Sequence, residues 1–245
     1  MNPLSSYLIG RGITAPIPPD IRYLPPKGNE YGAMVVAARN NDGLVAGVQR
    51  IFIHEGKKAP VDPVKRTNGV MDGAAVRLPA SQGDELVLAE GPETGLSVWQ
   101  VWGRETWVAL GSISKLVDAV PVDRPVVIAR DADEPGSQAD KALMKAVGEM
   151  IERGVSVRVV SPPNPTKTGY DFNDVLIDSG SQALANALSF GGKIKPRYPA
   201  QSGTLQNGRK AVSGAFSSWT GLLSEYWQEK ASFDSYQASI AGDQI

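Results

Sequence analysis

From residue 84 onward, short apolar runs alternate with segments of helical spacing. The runs ELVLAEG, TWVALG, PVVIARDAD and VSVRVVSP are apolar at nearly every position, as strands covered on both faces are. Between them lie ETGLSVWQVWG, SISKLVDAV and GSQADKALMKAVGEMIERG, in which apolar residues recur every three to four positions. The alternation predicts an α/β domain over residues 84–190, with a parallel four-stranded sheet and helices on both of its faces.

The first 83 residues have a different pattern. A short helical segment, PLSSYLIGRG, is followed by a Pro-rich extended stretch. The β-rich segments GAMVVAARN and LVAGVQRIFIHE then flank NNDG, a turn sequence that predicts an antiparallel hairpin. GVMDGAAVRLP is a further short strand candidate. We therefore expect a small antiparallel-rich α+β subdomain over residues 1–83.

Residues 191–245 begin as a linker-like stretch and then show one apolar stripe at helical spacing. The stripe consists of Trp219, Leu222, Leu223, Tyr226 and Trp227. Two interpretations remain open for this amphipathic helix. It docks on the core of its own chain, or it binds a partner such as a helicase or a replication initiator.

The composition limits the chemistry. The absence of cysteine excludes disulfides, zinc ribbons and thiol catalysis, and a single histidine, His54, excludes clusters of histidine ligands. Any metal site must therefore be built from oxygen ligands, which favours Mg²⁺ or Mn²⁺. The sequence contains no apolar run long enough for a membrane span, so we expect no membrane partner and a cytoplasmic location.

Charge is unevenly distributed along the chain. Residues 1–83 contain ten Lys and Arg against six Asp and Glu, whereas residues 84–190 contain nine against sixteen. A basic N-terminal part thus precedes an acidic middle part, as expected if one grips phosphates and the other holds a metal ion. On charge alone, random unevenness of ordinary solvated surfaces explains the distribution equally well.

Acidic residues follow three of the four predicted strands. Glu90 ends the first, Asp131 and Asp133 end the third, and Asp171 and Asp174 follow the fourth. The carboxyl ends of parallel strands meet at one edge of the sheet, where ligands bind. Carboxylates gathered there repel each other unless a cation lies between them. The pattern favours a divalent metal site over turn and helix-cap propensity alone.

Several neighbouring residues allow two interpretations each. Asp171, Asn173 and Asp174 either supply further metal ligands or cap the start of a helix. Glu93 either supports the metal ligands or favours a helix N-terminus. Arg130 either restrains the charge of the acidic residues or contacts a phosphate.

Three separated motifs carry a family resemblance. EGPETGLS, DADEPG and DFNDVL occur in the order found in the TOPRIM module of phage and plasmid primases and primase-helicases. The resemblance covers roughly residues 84–180 and extends more weakly upstream. It implies a TOPRIM-like fold in which Glu90, Asp131 and Asp133 are catalytic and bind Mg²⁺ or Mn²⁺. We count Asp171 and Asp174 as additional candidate ligands.

The resemblance also implies a function. We expect the catalytic core of a DNA primase, a nucleotidyltransferase that makes short primers from nucleoside triphosphates on single-stranded DNA during phage or plasmid replication. Such primases carry zinc-binding and often helicase domains, whereas this sequence has no cysteine and no GxxxxGK[ST] motif. A TOPRIM nuclease, or a non-catalytic accessory module of replication or conjugation, is the alternative.

Phosphates of the nucleotide and of the template require cations. We expect one group of basic residues to contact them, although any single member fits a solvated surface as well. The group consists of Arg50, Lys57, Lys58, Lys65, Arg66, Arg77 and Arg130.

Overall fold

The structure is a computed structural model that describes residues 2–163 and 165–189 together with the backbone of a short strand at 193–194. These residues belong to one compact unit, Met1–Pro196. The apolar stripe between Trp219 and Trp227 lies outside the described residues, so both interpretations of it stay predictions.

The N-terminal part consists of one helix and an antiparallel sheet, as the sequence predicts. The elements are α1 (Pro3–Gly10), β1 (Ile21–Leu24), β2 (Ala33–Arg39), β3 (Val45–His54), β4 (Lys57–Lys58) and β5 (Lys65–Gly69). The strand order is β1-β2-β3-β4, and β5 also pairs with β3. The β2–β3 hairpin turns at the predicted NNDG sequence. Strand β5 was not predicted, because all five of its residues are exposed and lack an apolar alternation.

Helix α1 begins where the sequence provides both a cap and a proline. The side chain of Asn2 accepts a hydrogen bond from the Leu4 amide at 3.0 Å, and Pro3 occupies the first helical turn. Leu4, Tyr7 and Leu8 are buried on the face that packs on the rest of the chain. The helix thereby places Tyr7 beneath the antiparallel sheet.

The second sheet contains the four parallel strands that the alternation predicts. Its elements are β6 (Val76–Leu78), β7 (Leu86–Ala89), β8 (Glu105–Val108), β9 (Val126–Ala129), β10 (Val157–Val160) and β11 (Lys193–Ile194). The order is β11-β10-β9-β7-β8-β6, with β6 and β11 antiparallel at the two edges. Strand β6 comes from GVMDGAAVRLP, within the predicted N-terminal subdomain, yet it pairs with β8.

Helices cover both faces of this sheet, as predicted. Helix α3 (Gln138–Glu152) packs on one face against residues such as Leu88 and Ile128, and α2 (Pro92–Trp102) with α4 (Phe172–Ser189) packs on the other. The segment SISKLVDAV forms only a short 3₁₀ turn, Ile113–Leu116, rather than the predicted helix.

The two sheets share one hydrophobic core. Side chains of α1, β2 and β3 pack together with Leu96 of α2 and Val108 of β8. Helix α2 lies very close to the second sheet, because a Cβ on Gly95 would approach Val108 Cγ2 to 2.3 Å. This packing brings β4 and β5 of the first sheet next to the carboxyl ends of the parallel strands.

Candidate metal and nucleotide site

Glu90 ends β7 and lies at the carboxyl edge of the parallel sheet. The side chain is partly buried, and this burial raises the pKa of its carboxyl group. The backbone N–H of Ile113 and the charges of Arg130 and Lys65 act in the opposite direction, while the charge of Asp133 raises the pKa further. The charge of Asp133 therefore acts on Glu90, as expected for residues that follow neighbouring parallel strands.

Asp131 is the centre of the acidic edge. Burial, followed by the charges of Asp171, Glu90 and Asp133, raises its pKa to about 7. Its Oδ1 atom is buried and has no hydrogen-bond partner. A buried carboxylate oxygen without a donor, surrounded by three further carboxylates, is electrostatically unfavourable unless a proton or a cation neutralises it.

The loop that carries Asp131 and Asp133 is fixed by a buried ion pair. Arg130 Nη2 lies 3.0 Å from Asp140 Oδ1, and both side chains are only 4% exposed. Asp140 Oδ2 also accepts a hydrogen bond from the Gly136 amide at 2.8 Å. Gly136 has a positive φ of 77°, which favours glycine. Arg130 thus braces the loop, and its charge lowers the pKa of Glu90, while contact with a phosphate stays a prediction.

A second set of hydrogen bonds ties this loop to the segment before α4. The Ala132 amide donates to the Tyr170 carbonyl at 2.8 Å, and the Gly169 amide donates to the Ala132 carbonyl at 2.9 Å. Asp171 follows directly and so lies beside Asp131. Burial raises the pKa of Asp171, the charge of Asp174 raises it further, and a hydrogen bond from Thr94 lowers it.

Asp171 and Asp174 also cap helix α4. The Asp174 amide donates to Asp171 Oδ1 at 2.9 Å, and the Asp171 amide donates to Asp174 Oδ2 at 3.2 Å. Asp174 Oδ1 is further paired with Lys167 at 3.2 Å. Asn173 is buried and donates to the Arg11 carbonyl and to Ser97 Oγ, so it joins α4 to α1 and α2. Direct hydrogen bonds therefore support the capping role of Asp171 and Asp174, and their role as metal ligands stays a proposal.

Glu93 has a role that the sequence did not reveal. It is buried in the first turn of α2, accepts a hydrogen bond from the Tyr7 hydroxyl at 2.7 Å and lies 3.1 Å from Lys58 Nζ. Burial would raise the pKa of Glu93, but Lys58, Lys65 and the Tyr7 hydroxyl hold it below its usual range. The three side chains link α1, β4 and α2 beside the acidic edge.

Lys65 is a basic residue whose charge acts on several carboxylates of this edge. It is exposed on β5, and its charge acts on Glu90, Glu93 and Asp131. In a strand, successive side chains point to opposite faces, so Lys65 and its neighbour Arg66 diverge. Together with Arg130, Lys58 and Lys65 are the predicted basic residues that lie beside the acidic edge.

The remaining predicted basic residues lie elsewhere. Arg50 and Arg66 pair with Glu30 and lie over the ring of Phe52. Arg77 stacks on Trp107 at 4.2 Å, and burial lowers its pKa. Lys57 is exposed and pairs in register with His54. The seven residues therefore lie at several separate places: strand alternation separates Arg66 from Lys65, and Arg77 belongs to the second sheet.

The acidic edge fits a hard divalent cation by its chemistry. Its donors are carboxylate oxygens, and one of them, Asp131 Oδ1, is buried without a partner. Over residues 2–163 and 165–189, no three acidic or histidine side chains stand close enough to enclose an ion. This arrangement suits Mg²⁺, which commonly takes one or two carboxylates and completes its shell with water and substrate phosphates.

Family models match both parts of the chain. Residues 85–182 match the Toprim domain, and residues 1–78 match a domain of unknown function, DUF7146. No curated protein sequence matches the chain. In the described part of the chain, no helix combines the length and apolar character needed to cross a membrane.

Solved structures of primases have the same fold. A DNA primase domain from Pseudomonas aeruginosa is 16% identical, with a TM-score of 0.58 over 78% of this chain and 72% of that chain. The DnaG primase catalytic domain bound to single-stranded DNA is 13% identical, with a TM-score of 0.60 and the same two coverages. The Escherichia coli primase catalytic core is 13% identical, with a TM-score of 0.54 over 79% and 75%. These likenesses establish the fold.

Proposed function

We propose that this chain, whose residues 85–182 form a Toprim domain, is the catalytic core of a DNA primase. It would join nucleoside triphosphates into short primers on single-stranded DNA. The Toprim domain and the primase-like fold support a primase-type function. The observation that carries the proposal is the contact of Lys58, a cation of the N-terminal sheet, with Glu93 at 3.1 Å beside the acidic edge, where the charge of Lys65 also acts on Glu90 and Asp131.

The reaction requires cationic side chains for the phosphates and carboxylates for the metal ion in the same site. A 3′-hydroxyl oxygen attacks the α-phosphorus of a nucleoside triphosphate, one P–O bond forms, and the bond to the departing pyrophosphate breaks. Lys65 and Lys58 would contact the phosphates, because ammonium groups bind phosphate oxygens by charge-assisted hydrogen bonds. Glu93 would keep Lys58 in position through the contact of 3.1 Å.

The acidic residues would hold the metal and handle the proton. Asp131 and Asp133 would bind Mg²⁺ or Mn²⁺, with Asp171 and Asp174 as further candidate ligands and Glu90 as either a ligand or the base. When bound, such an ion lowers the pKa of the attacking hydroxyl and neutralises charge on the phosphate. Glu90 suits the acceptance of the hydroxyl proton, because its raised pKa brings it closer to neutral pH.

The biological setting belongs to the same proposal. The motif order EGPETGLS, DADEPG and DFNDVL supports a role in phage or plasmid replication, with a helicase or replication initiator as partner. A cytoplasmic location is part of the same proposal, because DNA replication takes place there.

The test measures synthesis and cleavage together. The full chain is incubated with single-stranded DNA, labelled nucleoside triphosphates and Mg²⁺ or Mn²⁺. We expect incorporation by the wild type, loss of incorporation in Glu90→Gln, and little or no degradation of the DNA. Metal-dependent cleavage without incorporation would assign the chain to the Toprim nucleases instead. Neither activity, with a normally folded protein, would favour a non-catalytic accessory module.

A further inference from the structure

One buried glutamine side chain links the N-terminal sheet to the parallel sheet. Gln49 of β3 is only 6% exposed, and it lies on the same strand face as Ile51, which packs in the core shared with α1. Its Nε2 atom donates to Thr67 Oγ1 at 3.1 Å and to the Leu110 carbonyl at 3.2 Å. Thr67 lies opposite Gln49 on β5, whereas Leu110 follows β8 of the other sheet. The amide group therefore uses one hydrogen for each sheet.

The partners of this amide group explain why the residue is a glutamine. A backbone carbonyl only accepts hydrogen bonds, so the NH₂ group of Gln49 must face Leu110. Methionine has a similar length but no donor, and an ionised glutamate has only acceptors. A buried side chain that has to donate to both β5 and the turn after β8 is therefore served by glutamine and by neither of these residues.

Leu110 has a backbone conformation that requires support. Its φ is 53° and its side chain is 2% exposed. In the described part of the chain, Glu55 is the one other non-glycine residue with a positive φ, and it lies in the tight turn between β3 and β4, where such values are usual. Leu110 follows a parallel strand instead. A leucine keeps this conformation only where its surroundings hold it, and the hydrogen bond from Gln49 is one such restraint.

The turn that begins at Leu110 encloses the end of β7, where Glu90 lies. The Gly111 amide donates to the Glu90 carbonyl at 3.2 Å, and the Ile113 amide donates to the Glu90 carboxylate. Gly111 and Ile113 follow Leu110 within three residues. The conformation of Leu110 therefore decides whether both amides reach Glu90.

On its other side, Gln49 holds the strand that carries Lys65. Residues two apart on a strand point to the same face, so Thr67 and Lys65 share the inner face of β5. The charge of Lys65 acts on Glu90 and on Asp131. The same side chain thus restrains the strand of Lys65 and the turn that binds Glu90.

We propose that Gln49 is a positioning residue, which sets the placement of Lys65 relative to Glu90 through its bonds to Thr67 and Leu110. The inference rests on the proposed function, because that function gives Lys65 a phosphate and Glu90 a metal ion or a proton. Reacting groups that are misplaced by a fraction of an ångström lose a large factor in rate. A glutamine that only stabilised the fold would change the melting temperature and leave the turnover of the folded protein unchanged.

The first test compares primer synthesis by the full-length variants Gln49→Met and Gln82→Met, well below their melting temperatures. Gln82 is a matched control, because its Nε2 also donates to a backbone carbonyl, that of Trp102 at 3.0 Å, but it is exposed in the loop before β7. We expect Gln49→Met to lower kcat about 10-fold, with KM for nucleoside triphosphates within about 3-fold of the wild type. Gln82→Met should change either constant by less than about 2-fold. A wild-type kcat in Gln49→Met overturns the proposal.

The second test follows amide hydrogen exchange in EDTA and needs no activity. Gln49→Met should accelerate exchange at Gly111 and Ile113 by at least about 10-fold, because the turn loses its restraint. The amides of Val87 and Val127, in the central strands β7 and β9, should exchange as in the wild type. Unchanged exchange at Gly111 and Ile113, or equal acceleration at all four amides, contradicts a local role for Gln49.

A double variant tests whether Gln49 acts on Lys65. In the Lys65→Ala background, Gln49→Met should cost about 3-fold in kcat rather than about 10-fold, because one of the two groups that it aligns is already missing. The same cost in both backgrounds means that the two residues act independently, and it overturns the proposal.

Failure of the proposed function gives a different result. A wild type that makes no primers rejects the primase function, and the positioning role is then measured by the binding of inorganic triphosphate in Mg²⁺. Gln49→Met should weaken that binding about 3-fold and Gln82→Met should not, since Lys65 is the group displaced. Equal binding by the wild type and Gln49→Met overturns the positioning role. Primer synthesis by Gln49→Met at the wild-type rate rejects this role and retains the primase function.

Discussion

Asp131 and Asp140 lie nine residues apart and have opposite surroundings. Asp140 is paired with Arg130 at 3.0 Å and accepts the Gly136 amide at 2.8 Å. Asp131 has a buried Oδ1 without a hydrogen-bond partner, and the charges of Asp171, Glu90 and Asp133 add to burial in raising its pKa. Folding satisfies the charge of Asp140 within the chain and leaves the charge of Asp131 for something outside it. The difference separates a carboxylate that stabilises the fold from one that we propose binds a cation.

The same contrast separates the buried Glu93 of α2 from the partly buried Glu90, which directly follows β7. Glu93 is held by Tyr7 and Lys58, and its pKa lies below the usual range. Burial raises the pKa of Glu90, three residues earlier. The ion-paired carboxylates, Glu93 and Asp140, thus help to hold the elements that carry Glu90 and Asp131 in a fixed arrangement.

The largest effect is expected at Asp131. Asp131→Asn should reduce nucleotide incorporation at least about 100-fold, since it removes a charged metal ligand. In EDTA the same variant should unfold at a higher temperature than the wild type, because an unfavourable charge is gone. Thermal melts and incorporation assays measure both effects. Equal turnover of variant and wild type would remove Asp131 from the metal site.

The gain in stability should depend on pH. The pKa of Asp131 is raised to about 7 in the folded chain, above that of an unfolded Asp. Between the unfolded pKa, about 4, and about pH 7, the folded chain keeps a proton that the unfolded chain releases, so this carboxyl opposes folding increasingly over that range and by a constant amount above it. In EDTA the stabilisation by Asp131→Asn should be clear at pH 8 and small at pH 5. A gain that is larger at pH 5 would contradict this sign.

Asp140→Asn should have the opposite effect on stability. It leaves the guanidinium of Arg130 buried without its charge partner, which lowers the free energy of unfolding by about 3 kcal/mol. The melting temperature should fall by about 6–12 °C. Arg130→Met together with Asp140→Asn should be less destabilised than the two single changes added together. Strict additivity would mean that the ion pair does not brace the loop.

These contrasts also show what the sequence could predict. Asp131 and Glu90 were predicted because the ends of apolar parallel strands must meet at one edge, whatever the surrounding detail. Lys65 and Arg66 were predicted as one group, because β5 has no apolar alternation and its strand character was not visible. Strand alternation, once β5 is known, separates them.

The links from α1 were also invisible in the sequence. Tyr7 meets Glu93 across 86 positions of the chain, and no local pattern encodes such a contact. The same holds for β6, whose pairing with β8 depends on how the two sheets pack together. Local periodicity specifies elements and strand ends, whereas long-range packing decides which charges become partners.

Glu93→Gln should have an intermediate effect. The buried carboxylate loses its charge and Lys58 loses its partner, but the lysine side chain is 37% exposed and can be solvated again. We therefore expect a loss of about 1–3 kcal/mol, below that of Asp140→Asn. Tyr7→Phe, which removes one neutral donor, should cost about 1 kcal/mol. Denaturant titration of both variants and of the double variant would show whether Tyr7 and Glu93 are coupled.

The smallest effect is stabilisation of the folded chain by Mg²⁺ alone. An ion that binds only the native state at ten times its dissociation constant stabilises it by about 1.4 kcal/mol, or about 3–5 °C in melting temperature. We expect this shift in the wild type and in Asp118→Asn, which removes an exposed carboxylate away from the acidic edge. Asp131→Asn should lose the shift, although it is the more stable protein without metal. NaCl at matched ionic strength controls for screening of the carboxylates. If Mg²⁺ stabilises Asp131→Asn as much as the wild type, the unpaired carboxylate is not where the cation binds, and the contrast between Asp131 and Asp140 would concern stability alone.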